Sequence, residues 1–187
     1  MQAPQLLRTT VFTALLLGGM MSAQAADKLH VSESVSLKAT PEKVWDLIGN
    51  FVALPAWHPA VASTTIVKGN NNEVGSQRNV VTKDGAKLLE ELKAYDATAH
   101  SMSYNIVSSP LPVTDYLATL SVKADGEGAI VTWEGDFNRD PKAADVDDEK
   151  VKGIVQGIYK SGLDGLHTQM TETATPTATP SAATPAK

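Results

Sequence analysis

The residues of this 187-residue chain best suited to chemistry lie on either side of a tight turn. Lys83-Asp84-Gly85 separates two strand-like segments, and Asp-Gly is a strong hairpin signal. With a three-residue loop, Arg78 faces Glu90, which sits between two leucines on its own face. A buried carboxylate needs a charged partner, so one interpretation is a polar pair inside an apolar cavity. The other is a solvated ion pair, and a two-residue loop would place Arg78 opposite Glu91, outside.

The four histidines are the next candidates. His58 stands in Trp57-His58-Pro59, a turn-like segment that could form the rim of a pocket, although an exposed position is the default expectation for all four. No two histidines have metal-ligand spacing and the chain has no cysteine, so we predict no metal site, cofactor, disulfide or thiolate nucleophile. Nucleophile-elbow, phosphate-binding and dinucleotide-binding signatures are also absent from the sequence.

Aromatic residues and glycines leave two further alternatives open. Tyr104 and Trp133 lie on the apolar faces of predicted strands, where their polar tips would orient a ligand or simply complete the core. Gly162 and Gly165 lie on the same side of the last predicted helix as Ile158. A missing side chain on a buried face leaves room for a ligand, and it equally permits close packing of the helix against its neighbours.

Hydrophobic periodicity supplies the elements that position these residues. Alternation predicts strands over residues 29–37, 64–67, 76–82, 86–93, 101–108, 116–122 and 130–137. A helix opens at Thr40-Pro41, an N-cap followed by a proline, and ends at Gly49-Asn50. Residues 51–62 predict a broken connector or a short second helix, and residues 148–170 a long amphipathic helix. Grouped strands with helices at the ends indicate an α+β domain with an antiparallel sheet.

Both ends of the chain lie outside this predicted domain. Residues 1–25 have the pattern of a secretory signal peptide, with an apolar run over residues 11–17 and a cleavage pattern at Ala23-Gln24-Ala25. That run is too short for a stable membrane span, so we expect a periplasmic or secreted protein without a span after cleavage. Residues 171–187 are mostly Thr, Ala and Pro, which predicts a disordered tail. One domain over residues 26–170 remains.

A series of spaced segments agrees, in order, with one known family over about residues 30–168. The segments are Pro41–Phe51, Trp57–Val61, Gly75–Arg78, Asp84-Gly85, Glu90–Leu92, Tyr95-Asp96 and Ser103-Tyr104. Together they resemble the polyketide cyclase/dehydrase branch of the START-like (SRPBCC) superfamily. Three further segments resemble the MxaD-type periplasmic proteins associated with methanol oxidation: Pro112–Tyr116, Thr132–Gly135 and Tyr159–Leu166.

The resemblance implies a helix-grip fold: a curved antiparallel sheet of about six to seven strands around a long C-terminal helix, with one or two short helices after the first strand. It implies a small apolar molecule in an internal cavity and, for the MxaD-type members, a periplasmic dehydrogenase or cytochrome as partner. The superfamily's enzymes share no fixed catalytic set, so no catalytic residue is carried over. We expect nine residues to contact the ligand: Trp57, His58, Arg78, Glu90, Tyr104, Tyr116, Trp133, Ile158 and Gly162.

Three functions are compatible with these expectations. The first is a non-enzymatic exported protein that binds an apolar molecule, and the second is an accessory factor of periplasmic methanol or alcohol oxidation that acts by protein contact. The third is a cyclase or dehydratase, which would need an acid–base group such as His58, Glu90 or Asp115 beside its substrate. A net charge of −5 without a Lys/Arg cluster argues against a nucleic-acid partner.

Overall fold

A seven-stranded antiparallel sheet forms the body of the protein in a computed structural model, which describes residues 28–174. The strands are β1 (Leu29–Leu37), β2 (Val61–Lys68), β3 (Gln77–Thr82), β4 (Lys87–Asp96), β5 (Ser101–Ser108), β6 (Val113–Asp125) and β7 (Gly128–Arg139). The helices are α1 (Pro41–Ile48), α2 (Leu54–Trp57) and α3 (Asp148–Ala174). The sheet order β1-β7-β6-β5-β4-β3-β2 makes β1 and β2 its edges.

This architecture confirms the α+β helix-grip fold expected from the sequence. Every predicted strand is present, and the connector over residues 51–62 contains the short helix α2. Helix α3 continues past Met170 to Ala174, beyond its predicted end. The proposed signal peptide and the tail after Ala174 lie outside the described residues. Within residues 28–174, no helix combines the length and apolarity that crossing a membrane requires.

Helix α1 begins and ends at the capping residues that the sequence predicts. The Thr40 hydroxyl accepts a hydrogen bond from the Lys43 amide at 3.4 Å, and Pro41 occupies the first turn, where no amide hydrogen is needed. At the other end, the Gly49 amide donates to the Trp45 carbonyl at 2.6 Å. A side chain at Gly49 would collide with the indole of Trp45, so glycine lets that ring fold back over the helix end.

The register of the β3–β4 hairpin follows from its three-residue loop. Arg78 faces Glu90 and Val80 faces Leu88, as predicted, and the two-residue alternative is excluded. The Thr82 amide donates to the Ala86 carbonyl across the turn at 3.0 Å. Because side chains alternate along a strand, this register places Arg78 and Glu90 on the same face of the sheet.

Helix α3 covers the inner face of the sheet with a stripe of buried residues at helical spacing: Val151, Val155, Tyr159, Leu163 and Leu166. Opposite it, the sheet contributes aromatic side chains from three neighbouring strands, β5, β6 and β7: Tyr104, Tyr116, Trp133 and Phe137. The core therefore lies between the inner face of the sheet and the helices, because Val44 and Ile48 of α1 and Phe51 of the connector are buried in the same cluster.

Candidate ligand-binding cavity

A cavity of about 430 Å³ lies between α3 and the inner face of the sheet. This volume is within the range of sites for small organic molecules. Its lining is mostly apolar and comes from α2, β2 to β7, the turns between them and α3: Leu54, His58, Ala60, Val61, Val80, Thr82, Lys83, Asp84, Ala86, Leu88, Glu90, Tyr104, Ile106, Pro110, Leu111, Tyr116, Trp133, Val155, Ile158 and Tyr159. Lys83, Asp84 and Pro110 are exposed, which places the mouth at the β3–β4 turn and the β5–β6 loop.

The Arg78–Glu90 pair is buried, which decides between the two interpretations that the sequence left open. Arg78 is 3% exposed and Glu90 5% exposed. The Arg78 Nε–H donates to Glu90 Oε2 at 2.7 Å, and Nη1 donates to the carbonyl oxygen of Phe51. The guanidinium carbon lies 4.0 Å from the centre of the Phe51 ring and 5.1 Å from that of Tyr104. Contacts with both rings and a charge-assisted hydrogen bond offset the cost of removing this cation from water.

Four aromatic side chains form a connected polar and stacked group at the cavity wall. The Trp133 indole N–H donates to the Tyr104 hydroxyl at 2.9 Å. The Trp133 ring also stacks on Tyr159, with centroids 4.5 Å apart and planes 12° from parallel. The hydroxyls of Tyr116 and Tyr159 are hydrogen-bonded to each other. Burial raises the pKa of all three tyrosines, so each hydroxyl stays protonated near neutral pH.

His58 is buried, at 4% exposure, so the default expectation of an exposed histidine is wrong at this position. Its Nδ1 accepts a hydrogen bond from the Ala60 amide at 3.2 Å, and its Nε2–H donates to the Ile158 carbonyl of α3, also at 3.2 Å. Accepting at Nδ1 and donating at Nε2 describes the neutral ring. Burial lowers the pKa of His58, which agrees with that assignment. His58 thus ties the α2–β2 connector to α3.

The structure brings six of the nine expected residues to the cavity wall and places three elsewhere. The six are His58, Glu90, Tyr104, Tyr116, Trp133 and Ile158. Arg78 lies behind the wall, because Phe51 and Tyr104 enclose its guanidinium. Trp57 faces a surface groove and a small internal void instead.

Gly162 is the third residue that does not line the cavity. A Cβ there would lie 2.7 Å from His58 Cδ2 and 2.8 Å from Trp133 Cζ3, so the space beside it is already filled by side chains. At Gly165 an added Cβ would meet the Trp57 carbonyl oxygen and lie 2.6 Å from Pro59 Cδ. The structure therefore shows close packing at both glycines, and neither Gly162 nor Gly165 leaves room for a ligand.

Asp115 is also outside the cavity, so it cannot be an acid–base group there. The residue is exposed on β6, with a positive φ of 50°. Its carboxylate accepts a hydrogen bond from the side-chain amide of Asn138 at 2.9 Å. Within the described part of the chain, no three His, Asp or Glu side chains are grouped so that they could hold a metal ion.

Sequence reasoning missed one central residue of the wall, Tyr159. The signal was present, because Tyr159 lies four residues after Val155 and eight after Val151, on the stripe that α3 buries. The apolar side chains of Val80 and Leu88 were paired correctly by the hairpin register but were not identified as lining. Nothing in the local sequence indicates that Leu111, in the β5–β6 loop, reaches the same cavity.

Comparison with known proteins places this geometry in a family. Residues 28–171 match the family model described as polyketide cyclase / dehydrase and lipid transport. XoxI from Bacillus cereus is 31% identical, with a TM-score of 0.71, over 78% of this chain and 98% of that chain. An uncharacterized protein from Bacillus thuringiensis is 32% identical, with a TM-score of 0.69, over 76% of this chain and 99% of that chain.

Ara h 8.0201 shares the fold alone. It is 18% identical, with a TM-score of 0.62, over 78% of this chain and 99% of that chain. The family match covers the whole sheet and nearly all of α3, and therefore every element that contributes to the cavity. The chain belongs to the polyketide cyclase/dehydrase and lipid transport family, within the START-like superfamily.

Proposed function

We propose that this protein binds a small apolar molecule in the cavity between α3 and the sheet. The observation that carries the proposal is the cavity of about 430 Å³, which the surrounding side chains leave unfilled. Most interior space in proteins is packed to crystal-like density, so an opening of this size is a departure that needs a reason. A bound molecule would gain roughly 25 cal/mol for each Å² of apolar surface it removes from water.

Binding, rather than cyclisation or dehydration, is supported by the state of the three acid–base candidates. Both ring nitrogens of His58 are bonded to backbone groups, and Asp115 is outside the cavity. The third candidate, Glu90, forms an ion pair with Arg78. A general base must reach the proton that it removes, and of the three candidates Glu90 alone lines the cavity with an acceptor atom that no described residue occupies. Acid–base chemistry in the cavity would therefore have neither His58 nor Asp115 as a second group.

The experiment fills the cavity and leaves the rest of the sheet unchanged. Ile106 lines the cavity, whereas its neighbour Val107 is 48% exposed on the opposite face of β5. The variants Ile106→Trp and Val107→Trp therefore make the same chemical change on the two faces of one strand. Binding is measured by the fluorescence of N-phenyl-1-naphthylamine, an uncharged apolar probe, and folding by circular dichroism.

We expect the wild type and Val107→Trp to bind the probe with similar affinity, and Ile106→Trp to lose about tenfold or more. Native mass spectrometry of protein purified from the periplasm should show a co-purified small molecule with the wild type and not with Ile106→Trp. Equal probe affinity in the two tryptophan variants, both folded, would contradict binding in this cavity.

Export to the periplasm is part of the proposal, and its support is the signal-peptide pattern of residues 1–25. Fractionation of cells that produce the full chain, followed by mass measurement of the mature protein, tests it. A periplasmic protein whose N-terminus is near Ala26 or Asp27 is the expected result. An uncleaved protein in the cytoplasmic fraction would exclude the export step without affecting the cavity.

An accessory role in methanol or alcohol oxidation, through contact with a periplasmic dehydrogenase or cytochrome, is the second candidate. Its support is the resemblance of three segments to MxaD-type proteins. These segments meet in the fold: Tyr116 bonds to Tyr159, Trp133 stacks on Tyr159, and Gly135 leaves space for the Tyr159 hydroxyl. Deletion of the gene, with complementation by wild type or Ile106→Trp, tests this role. Unchanged alcohol oxidation in the deletion strain would exclude it.

A further inference from the structure

The wall of the cavity contains few ionisable side chains. Four residues of the wall carry ionisable groups other than phenols: His58, Lys83, Asp84 and Glu90. Lys83 and Asp84 are exposed neighbours at the mouth and have opposite charges. His58 is buried and neutral, with both ring nitrogens bonded to the backbone. Glu90 is therefore the buried charge that a bound molecule meets.

The cation that balances Glu90 is not available to a ligand. Arg78 lies behind the wall, where its guanidinium is between the rings of Phe51 and Tyr104. Its Nε–H is directed to Glu90 and its Nη1 to the Phe51 carbonyl. A ligand anion would thus approach the carboxylate first and the guanidinium only through it. Since like charges repel strongly where water is excluded, the wall disfavours a carboxylate ligand.

The same wall offers complementary hydrogen-bonding groups to a hydroxyl. Glu90 accepts one bond, from Arg78 to Oε2, and among the described residues nothing donates to its other oxygen. The Tyr104 hydroxyl accepts from Trp133 and keeps its own proton to donate. Tyr116 and Tyr159 share one hydrogen bond, so one of their two protons also remains. A carboxylate acceptor beside phenolic donors fits a group that both donates and accepts.

We propose that the ligand is an uncharged apolar molecule bearing a hydroxyl group, an alcohol or a phenol, and that Glu90 excludes fatty-acid-like carboxylates. The hydroxyl donates to the free oxygen of Glu90 and accepts from a tyrosine of the wall, while the remainder of the molecule contacts the apolar lining. This inference rests on the proposed binding function and adds the chemical class of the ligand.

The test compares three ligands with one tail. Purified mature protein is loaded with N-phenyl-1-naphthylamine and titrated with 1-decanol, decylammonium or decanoate near neutral pH. Both ions lose water on entering the cavity, so their comparison isolates the sign of the charge on the wall. We expect 1-decanol to displace the probe at the lowest concentration, decylammonium next, and decanoate about tenfold or more above 1-decanol.

Matched variants then assign the effect to Glu90. Glu90→Gln removes the cavity-facing charge, and Glu91→Gln makes the same change on the outer face of β4, where Glu91 contacts Gln77 and Lys93. Relative to 1-decanol, decanoate should improve about tenfold in Glu90→Gln and remain unchanged in Glu91→Gln. If Glu90→Gln does not fold, the order in which the wild type binds the three ligands tests the inference by itself.

Two different failures are distinguishable. Decanoate that displaces the probe as well as 1-decanol, or better than decylammonium, would overturn the inference and leave the binding function standing. A decanoate affinity that rises equally in both glutamine variants would also overturn it. Failure of the wild type to bind the probe or any of the three ligands would instead remove the binding function on which the inference rests.

Discussion

Alanine substitutions at the glycines of α3 should change stability in opposite directions, because the helix has one open face and one tightly packed face. A Cβ added at Gly157 meets no atom within 4 Å, and the same holds at Gly153. At Gly165 an added Cβ would collide with the Trp57 carbonyl oxygen and lie 2.6 Å from Pro59 Cδ. Backbone atoms of a packed connector have little freedom to move aside.

The expected magnitudes follow from two opposing terms. Replacing glycine by alanine inside a helix stabilises it by about 1 kcal/mol. Overpacking a filled site costs about 1–3 kcal/mol. Gly157→Ala receives only the first term, so its free energy of unfolding should rise by about 1 kcal/mol. Gly165→Ala receives both, and because its collision is with backbone we expect a net loss of about 1–2 kcal/mol.

Urea unfolding followed by tryptophan fluorescence measures these changes, since Trp57 and Trp133 lie beside the packed part of α3. For a domain of this size, 1 kcal/mol corresponds to roughly 2–4 °C in the melting temperature, so thermal unfolding should separate the two variants clearly. Gly153→Ala serves as a second control, with the same sign as Gly157→Ala. A stabilisation of Gly165→Ala equal to that of Gly157→Ala would refute the close-packing interpretation.

Three further outcomes are expected from contacts at the cavity. Gly135→Ala should destabilise the protein by about 1–3 kcal/mol, because its Cβ would collide with the Tyr159 hydroxyl, and a double-mutant cycle with Tyr159→Phe should recover most of that loss. Glu90→Leu should cost about 3–5 kcal/mol in urea unfolding by leaving Arg78 buried and unpaired, whereas adding Arg78→Met should restore most of the stability. Burial lowers the pKa of His58, so the unfolded chain binds a proton that the folded protein does not, and stability should fall as pH decreases below about 6.5. The fall should be smaller in His58→Gln, and equal pH profiles would contradict this role.

The sequence predicted those features of the site that depend on neighbouring residues. Loop length fixes hairpin register, so the pairing of Arg78 with Glu90 followed from three residues at 83–85. Alternation along β5 and β7 placed Tyr104 and Trp133 on the inner face. The sequence did not predict that Arg78 and Glu90 are buried, because Arg78 is covered by Phe51, which belongs to a connector distant in the chain.

The glycines show why position along a helix did not locate the cavity. A glycine on a buried helix face is compatible with empty space beside it or with a closely packed neighbour. Which of the two occurs depends on the distance between α3 and the α2–β2 connector, and these two segments are far apart in the sequence. Gly162 and Gly165 are where α3 lies against Trp57, His58 and Pro59. The open volume instead adjoins the large residues one to two turns earlier, Val155, Ile158 and Tyr159.

The closely packed turn of α3 therefore follows directly after the turns that line the cavity, and the two parts of the helix share contacts. His58 donates to the Ile158 carbonyl, which belongs to the turn that lines the cavity, while its ring edge fills the space beside Gly162. Trp133 touches the position of Gly162 with one edge and stacks on Tyr159 with its face. A side chain at Gly162 would push on both residues at once. Its cost should consequently appear as altered ligand affinity as well as lower stability, whereas Gly157→Ala, on the open face, should affect stability alone.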